Sequence, residues 1–313
     1  PPTWRRLRIP ANITFNDLAA IIEIAFEWCG YHLYEFEVGA TLHEMGQFIG
    51  VPTEDEYGIE NIRGKTLDSG KEKIDKYMAF AMPESGEFNA IGTGKRLALK
   101  EVVFLNGLNA HALDFDDGTN SGIIHLGSPI FSLLLPLAER YDLGIEDVLT
   151  AAVIGYEASY TMAVSIQPGH KAMGYHATGT CGVLGATIAA SYMLGFTEEE
   201  RFHAFAVACV SASGMLKVLD DELKPYNVAK TALLALTSIQ LAKSGFKGHH
   251  DPLGGRGFIK MMTGRDEVEL KPVLLNGTYA IMKTYTKPYA SCRYTHPSVE
   301  AAIHLRKQVR TED

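Results

Sequence analysis

Between residues 177 and 194 the chain reads ATGTCGVLGATIAASYML, a helix-length stretch without one charged residue. Within it Gly179, Gly182, Gly185, Ala186, Ala189 and Ala190 leave little side-chain bulk. A helix that is apolar all round and this thin belongs inside a protein, where neighbouring helices can approach its backbone closely. The segment from Asp147 to Met162 reads as a second buried helix. Thr197 with Glu200 forms a capping box ahead of Phe202, Phe205, Ala206, Cys209 and Val210 at helical spacing. From Leu97 to Gly264 the texture is helical throughout, with Ala- and Leu-rich runs separated by short Gly or Pro turns. The expectation is a helical bundle built around the small-residue helix.

The flanks differ. Residues 3–10 read as a strand, 13–28 as an amphipathic helix and 31–39 as a second, alternating strand. In that helix Thr14 and Asp17 give a cap-like start to a stripe of Leu18, Ile21, Ile22 and Ala25. Charged residues, Gly and Asp between Thr53 and Lys76 suggest surface loops, and a boundary is expected between about 76 and 92, near Pro83, Gly86, Gly92 and Gly94. Past Leu270 the pattern gives a strand at 278–285, a turn, and a helix from His296. The fold class expected is therefore mostly α: a large helical-bundle domain with the start of a smaller α+β lid, preceded by a small α+β module. The corresponding divisions are 1–80, 88–268 and 269–313, the last cut short at Asp313.

A formal net charge of -8 argues against a general nucleic-acid binder, which needs surplus Lys and Arg on one face. The four cysteines, Cys29, Cys181, Cys209 and Cys292, form no C-x-x-C pair and no zinc-like spacing, which fits reduced thiols in a cytoplasm. No stretch has the unbroken apolar length of a membrane helix, and PPTWRRLRIP lacks the apolar core of a secretion signal. A cytoplasmic protein is expected. No dinucleotide fingerprint, phosphate loop, zinc helix, nucleophile elbow or iron–sulfur pattern is present.

What remains for chemistry is His, Lys, Arg and Asp, groups suited to acid/base work on an anionic substrate. HALDFDDGTNSGIIHLGSP gathers His111, Asp114, Asp116, Asp117 and His125. Asp116 or Asp117 could also cap the following helix, and His111 could be a satisfied helix-face histidine. GYHATGTCG sets His176 ahead of a Gly- and Thr-rich helix start suited to a carboxylate, although Thr178 and Thr180 could serve only as caps. LKPYNVAK presents Lys224 and Lys230, and KPYASCRYTHP brings together Lys287, Cys292, Arg293 and His296. Arg293, Thr178 and Lys287 are candidates for holding substrate.

Six blocks in order carry a resemblance: GTGKRLALKEVVFLNGLNAHALDFDD, HLGSPIFSLLLPLAE, GYHATGTCGVLGATIAA, LKPYNVAKTA, GFKGHHDPLGGRGF and SCRYTHP. From about Gly92 to about Gln308 the chain resembles the MmgE/PrpD family, which includes 2-methylcitrate dehydratases, cis-aconitate decarboxylases and an iminodisuccinate epimerase. The resemblance implies a helical domain joined to a smaller lid, an active site between them, a homodimer, and no metal or organic cofactor. Carried over by block, the site positions are Asp114, His125, His176, Lys224 and His296. The implied activity is a cofactor-independent lyase acting on a small polycarboxylic acid, foremost a 2-methylcitrate dehydratase-like hydro-lyase. An epimerase, a decarboxylase or a non-catalytic scaffold are the alternatives. Gly118 stands where some decarboxylase-type members have Thr, and Asn227 where many members have His. Residues 1–76, with their PPxWRR opening, resemble instead a small α+β module of unknown activity from plasmid-borne reading frames. The family's usual first helices and most of its lid are expected to be missing, so the chain reads as a fusion or a composite.

Overall fold

The structure is a computed structural model that describes residues 35–38, 47–50 and 67–306. The expected strand at 3–10 and helix at 13–28 lie outside them. The chain divides into two compact units, one made of residues 1–72 and 291–313, the other of Lys73–Ala290. In the first, β1 (Glu35–Val38) pairs antiparallel with β2 (Gln47–Gly50), Phe36 opposite Ile49. Its C-terminal segment carries a helix at His296–Arg306. The alternating residues at 31–39 thus do contain a strand.

The helix α1 (Leu67–Ala81) occupies part of the stretch expected to be loop. Its Lys, Glu and Asp residues are good helix formers or tolerated ones, and Ile74, Tyr77 and Met78 supply a helical apolar spacing among them. Charge density signalled exposure here, not irregularity, and Met78 is buried. A hairpin follows, β3 (Ser85–Ala90) with β4 (Lys95–Leu97), closed over the turn that contains Gly92 and Gly94, both at positive φ.

The rest of the larger unit is helical: α2 (Leu99–His111), α3 (Gly127–Tyr141), α4 (Ile145–Ile166), the single turn α5 (Gly169–Ala172), α6 (Ala177–Met193), α7 (Glu198–Ser211), α8 (Lys224–Lys243) and α9 (Phe258–Thr263). The small-residue segment is the central helix: α6 packs on α3, α4, α7 and α8, and every residue from Ala177 to Thr187 is buried. Leu126, Ile130, Leu133, Leu134, Val183, Leu184 and Leu236 form the core around it. The capping box is made as the sequence suggests, with Thr197 Oγ1 accepting from Glu200 N at 3.2 Å and Thr197 N donating to Glu200 Oε2 at 2.8 Å.

The expected strand at 278–285 is absent. Ala280–Lys283 forms a 3₁₀ turn, and Tyr285 alone makes a bridge, to Gly118. The backbone donors are consumed locally: Ala280 N donates to the Glu157 carboxylate, Met282 N to Tyr279 O and Thr284 N to Ile281 O. A strand needs those donors free for a neighbour. The described part of the expected α+β segment is accordingly 3₁₀ turns and one helix.

Candidate active site

α2 ends at His111, and three residues later Asp114 takes a left-handed backbone, φ 50°, with its amide bonded to His111 O at 3.1 Å. Aspartate is among the few non-glycine residues that enter this region readily. Its carboxylate meets two ammonium groups: Lys224 Nζ lies 2.6 Å from Oδ2 and Lys287 Nζ 2.7 Å from Oδ1. Lys224 is the first residue of α8, where Pro225 at the opening turn fixes the entry of the chain. Lys287 arrives from the segment that Tyr285 ties to Gly118 by paired backbone bonds of 2.9 and 3.4 Å, and it also donates to Asp114 O. The Lys287 side chain is fully buried, whereas that of Lys224 keeps 13% of its surface exposed. Lys287 therefore anchors Asp114, and Lys224 is the cation with donors to spare. Burial tends to raise the carboxyl pKa of Asp114, but Lys224, His125, His111 and Lys287 outweigh it and hold the group far below the usual carboxylate range.

Asp116 organises the imidazoles. His111 Nδ1 donates to its carboxylate at 2.8 Å, His125 Nδ1 lies 3.4 Å from Oδ1, and Ser128 Oγ donates to Oδ2. Burial would raise this carboxyl too, yet His125 and His111 keep it well below the ordinary value. His125 Nδ1 is 2.9 Å from Asp117 O, its Nε2 is 3.8 Å from Asp114 Oδ1, and its backbone N–H donates to the fully buried Thr178 Oγ1 at 3.1 Å. Thr178 thus positions His125 in this arrangement. Asp117 caps α3 by accepting from Gly127 N at 2.9 Å, and Tyr156 OH bonds its other oxygen at 2.8 Å.

His176 is the residue at which the chain enters α6, and it is buried. Asn227 Nδ2, one turn into α8 from Lys224, lies 3.1 Å from His176 Nδ1. Burial is the largest cause holding the His176 pKa well below that of free histidine, and His125, His111 and Lys224 add to it. Asp114, His125, His176, Lys224, Lys287 and Thr178 therefore come together within Lys73–Ala290. His296, Arg293 and Cys292 belong to the other unit, where His296 Nε2 lies 3.2 Å from Ser291 O. Lys230 reaches Ser213 Oγ at 3.1 Å, and burial pushes the thiols of Cys181 and Cys209 up to about 12, which makes them poor nucleophiles.

Sequence reasoning missed Ser128, Tyr156 and the pairing of Asn227 with His176. Tyr156 lies on another helix with no local motif to mark it. Asn227 did carry a signal, since three residues after Lys224 it shares that residue's helix face. His111, Asp114, Asp116 and His125 could each offer a metal one ligand atom, all within 4.8 Å of one another. Two ammonium groups already neutralise Asp114, which leaves that donor set poorly suited to a cation.

Residues 68–271 match the model of the MmgE/PrpD N-terminal domain. The chain belongs to the MmgE/PrpD family. The match starts at α1, earlier than the sequence blocks, and it takes in every helix through α9. Residues 1–85 match the model named Plasmid pRiA4b ORF-3-like protein, so the two matches share 68–85. Similar curated proteins are the cis-aconitate decarboxylase of Mus musculus, 25% identical over 262 residues that cover 79% of this chain and 52% of that one. That of Homo sapiens is 26% identical over 224 residues, 69% of this chain and 46% of that one. The chain spans about half the length of these relatives. Membership supports a lyase-type enzyme. No helix among the described residues is long and apolar enough to cross a membrane.

The buried imidazoles of the larger unit imply a pH dependence of stability. His111, His170 and His176 all have pKa values lowered first by burial, that of His170 to about 4. Below about pH 6.5 the unfolded chain binds more protons at these rings than the folded chain, so stability falls as pH falls. Asp117, whose carboxyl is raised by burial, opposes this as a single group. Scanning calorimetry should show Tm dropping by about 5–10 °C between about pH 7.5 and pH 5. A flat profile would mean that the rings titrate normally in the folded chain.

Proposed function

We propose that the chain is the catalytic part of a cofactor-independent lyase that moves a proton at the carbon α to a carboxylate in a small polycarboxylic acid, foremost as a 2-methylcitrate dehydratase-like hydro-lyase. The observation that carries this reading is the convergence of Lys224, Asp114 and Lys287 with His125 and His176. Lys224 and Lys287 offset the charges of Asp114 and Asp116, while the Asp117 carboxyl is taken up by Gly127 N and Tyr156 OH. An incoming carboxylate then meets the remaining donors of Lys224 and three imidazoles. Elimination needs a base for the C–H proton and an acid for the departing hydroxyl: the C–H electron pair becomes the alkene, the C–O bond breaks, and water leaves with the proton of the acid. An imidazole can serve as the base, and an ammonium or a second imidazole as the acid. Cations beside the carboxylate stabilise the charge that develops at the α carbon.

Decarboxylation is the second reading, favoured by both curated relatives being cis-aconitate decarboxylases. The same groups would then serve the loss of CO₂ and protonation of the carbon left behind. Gly118 weighs against it. A Cβ there would fall 2.7 Å from Tyr285 Oη, so the threonine of some decarboxylase-type members could not enter unless Tyr285 moved. The test is to offer the full chain 2-methylcitrate and cis-aconitate separately, following alkene absorbance and CO₂ release. Alkene from 2-methylcitrate supports the hydro-lyase, CO₂ from cis-aconitate replaces it with the decarboxylase, and neither product removes the lyase reading for this chain.

A further inference from the structure

We propose that Asn227 is a positioning residue that fixes His176 in the neutral tautomer with its proton on Nε2, opposite to the tautomer imposed on His125. The proposal deepens the lyase reading and rests on it for its catalytic meaning, but not for its geometry. The amide of Asn227 is oriented by an atom that can only accept: Nδ2 lies 3.4 Å from Met215 O as well as 3.1 Å from His176 Nδ1. Turning the amide would set two carbonyl-type oxygens against each other, so the NH₂ group faces both partners. His176 Nδ1 must then accept. Both side chains are buried, which disfavours an imidazolium there, and the entry to α6 adds the positive end of a helix. A neutral ring that accepts at Nδ1 carries its hydrogen at Nε2.

His125 is set the other way. Its Nδ1 faces Asp117 O at 2.9 Å and Asp116 Oδ1 at 3.4 Å, both acceptors only, so the proton stays on Nδ1 and a neutral His125 has its lone pair on Nε2. The site thereby holds one imidazole that presents an N–H at Nε2 and one that, when neutral, presents a lone pair there. The assignment makes His125 the base and His176 a neutral hydrogen-bond donor to the departing oxygen, which takes its proton from Lys224 or solvent.

The test is spectroscopic first. In the full chain labelled with ¹⁵N-histidine, long-range ¹H–¹⁵N correlation spectra distinguish the two tautomers, and His176→Gln identifies the resonances of His176. The expected wild-type pattern at neutral pH is Nε2–H for His176. Asn227→Asp, whose carboxylate can only accept, should reverse it to Nδ1–H or protonate the ring. A wild-type His176 with Nδ1–H, an even mixture, or a pattern that Asn227→Asp leaves unchanged would overturn the proposal. Asn227→Leu, which removes the donor at similar size, should give a mixture and covers the case in which the aspartate variant fails to fold. In the lyase assay Asn227→Asp should lower kcat by about 10-fold or more with KM within about 3-fold; a change in KM alone would make the residue structural. If wild type shows the expected tautomers yet converts no polycarboxylate, the lyase reading fails while the tautomer assignment stands.

Discussion

Lys224→Ala and His176→Ala should each lower kcat/KM by about 10²-fold or more, with the loss mainly in kcat. The argument differs for the two. Lys224 has its ammonium 2.6 Å from Asp114 and is the more accessible of the two lysines there. Removing it takes away the charge that the developing carbanion needs and leaves Asp114 held by Lys287 alone, so the reacting carboxylate meets a more negative site. Lys224→Arg should not rescue fully, because a planar guanidinium replaces a point charge seated on one carboxylate oxygen. Burial holds the His176 pKa well below that of free histidine, so its loss removes a neutral hydrogen-bond donor and not a substrate-binding charge, and KM should change little. Alkene absorbance measured across a substrate series separates kcat from KM. Equal rates for wild type and both variants would take these residues out of the mechanism, and solvent proton exchange without alkene would move the assignment to the epimerase branch.

Local chemistry decides how much of this was legible beforehand. The central helix announced itself because an uncharged run of glycine and alanine has few other places to go, and α7 because its cap and first turn lie within four residues of each other. Lys224, His125 and His176 were singled out as candidates through their motifs and the family resemblance, and the fold brings them near one another. Tyr156 and Ser128 were not, since each gains its meaning only when α4 and α3 fold against Asp117 and Asp116. The failed strand at 278–285 has the same origin. Its Tyr, Ile and Thr content favours a strand in isolation, but strand propensity depends on a partner, and the Glu157 carboxylate takes the Ala280 amide instead. Where helices are concerned the hydrogen bonds are internal to the segment, so sequence reports on them directly. Sites and sheets join distant segments, and sequence reports on those only through motifs.

The same close packing that made α6 recognisable makes Gly185 one of the positions least able to change. A Cβ at Gly185 would lie 1.8 Å from Ser159 Oγ and 2.5 Å from Gly155 O, both on α4. The approach is reciprocal, since a Cβ at Gly155 would lie 2.8 Å from Ala189 Cβ and 3.0 Å from Gly185 O. Ser159 could rotate away from its 3.4 Å bond to Cys181 O, but the Gly155 carbonyl belongs to a helix backbone and can yield only if α4 moves as a whole. Moving α4 would disturb its packing against both α6 and α3. Gly185→Ala is therefore expected to destabilise the chain by about 3 kcal/mol or more, at the upper end of overpacking effects, which is roughly 6–12 °C in Tm for a unit of this size. Gly185→Val should leave little soluble folded protein. Adding Ser159→Ala to Gly185→Ala should recover only part of the loss, because it removes the side-chain clash and leaves the backbone one. Gly144→Ala serves as the control: its Cβ would meet only Asp147 Oδ2, at 3.6 Å, with φ at -77°, and it should change stability by less than about 1 kcal/mol. Urea midpoints for the four variants decide the matter, and a Gly185→Ala chain as stable as wild type would show that α4 and α6 do not meet at these glycines.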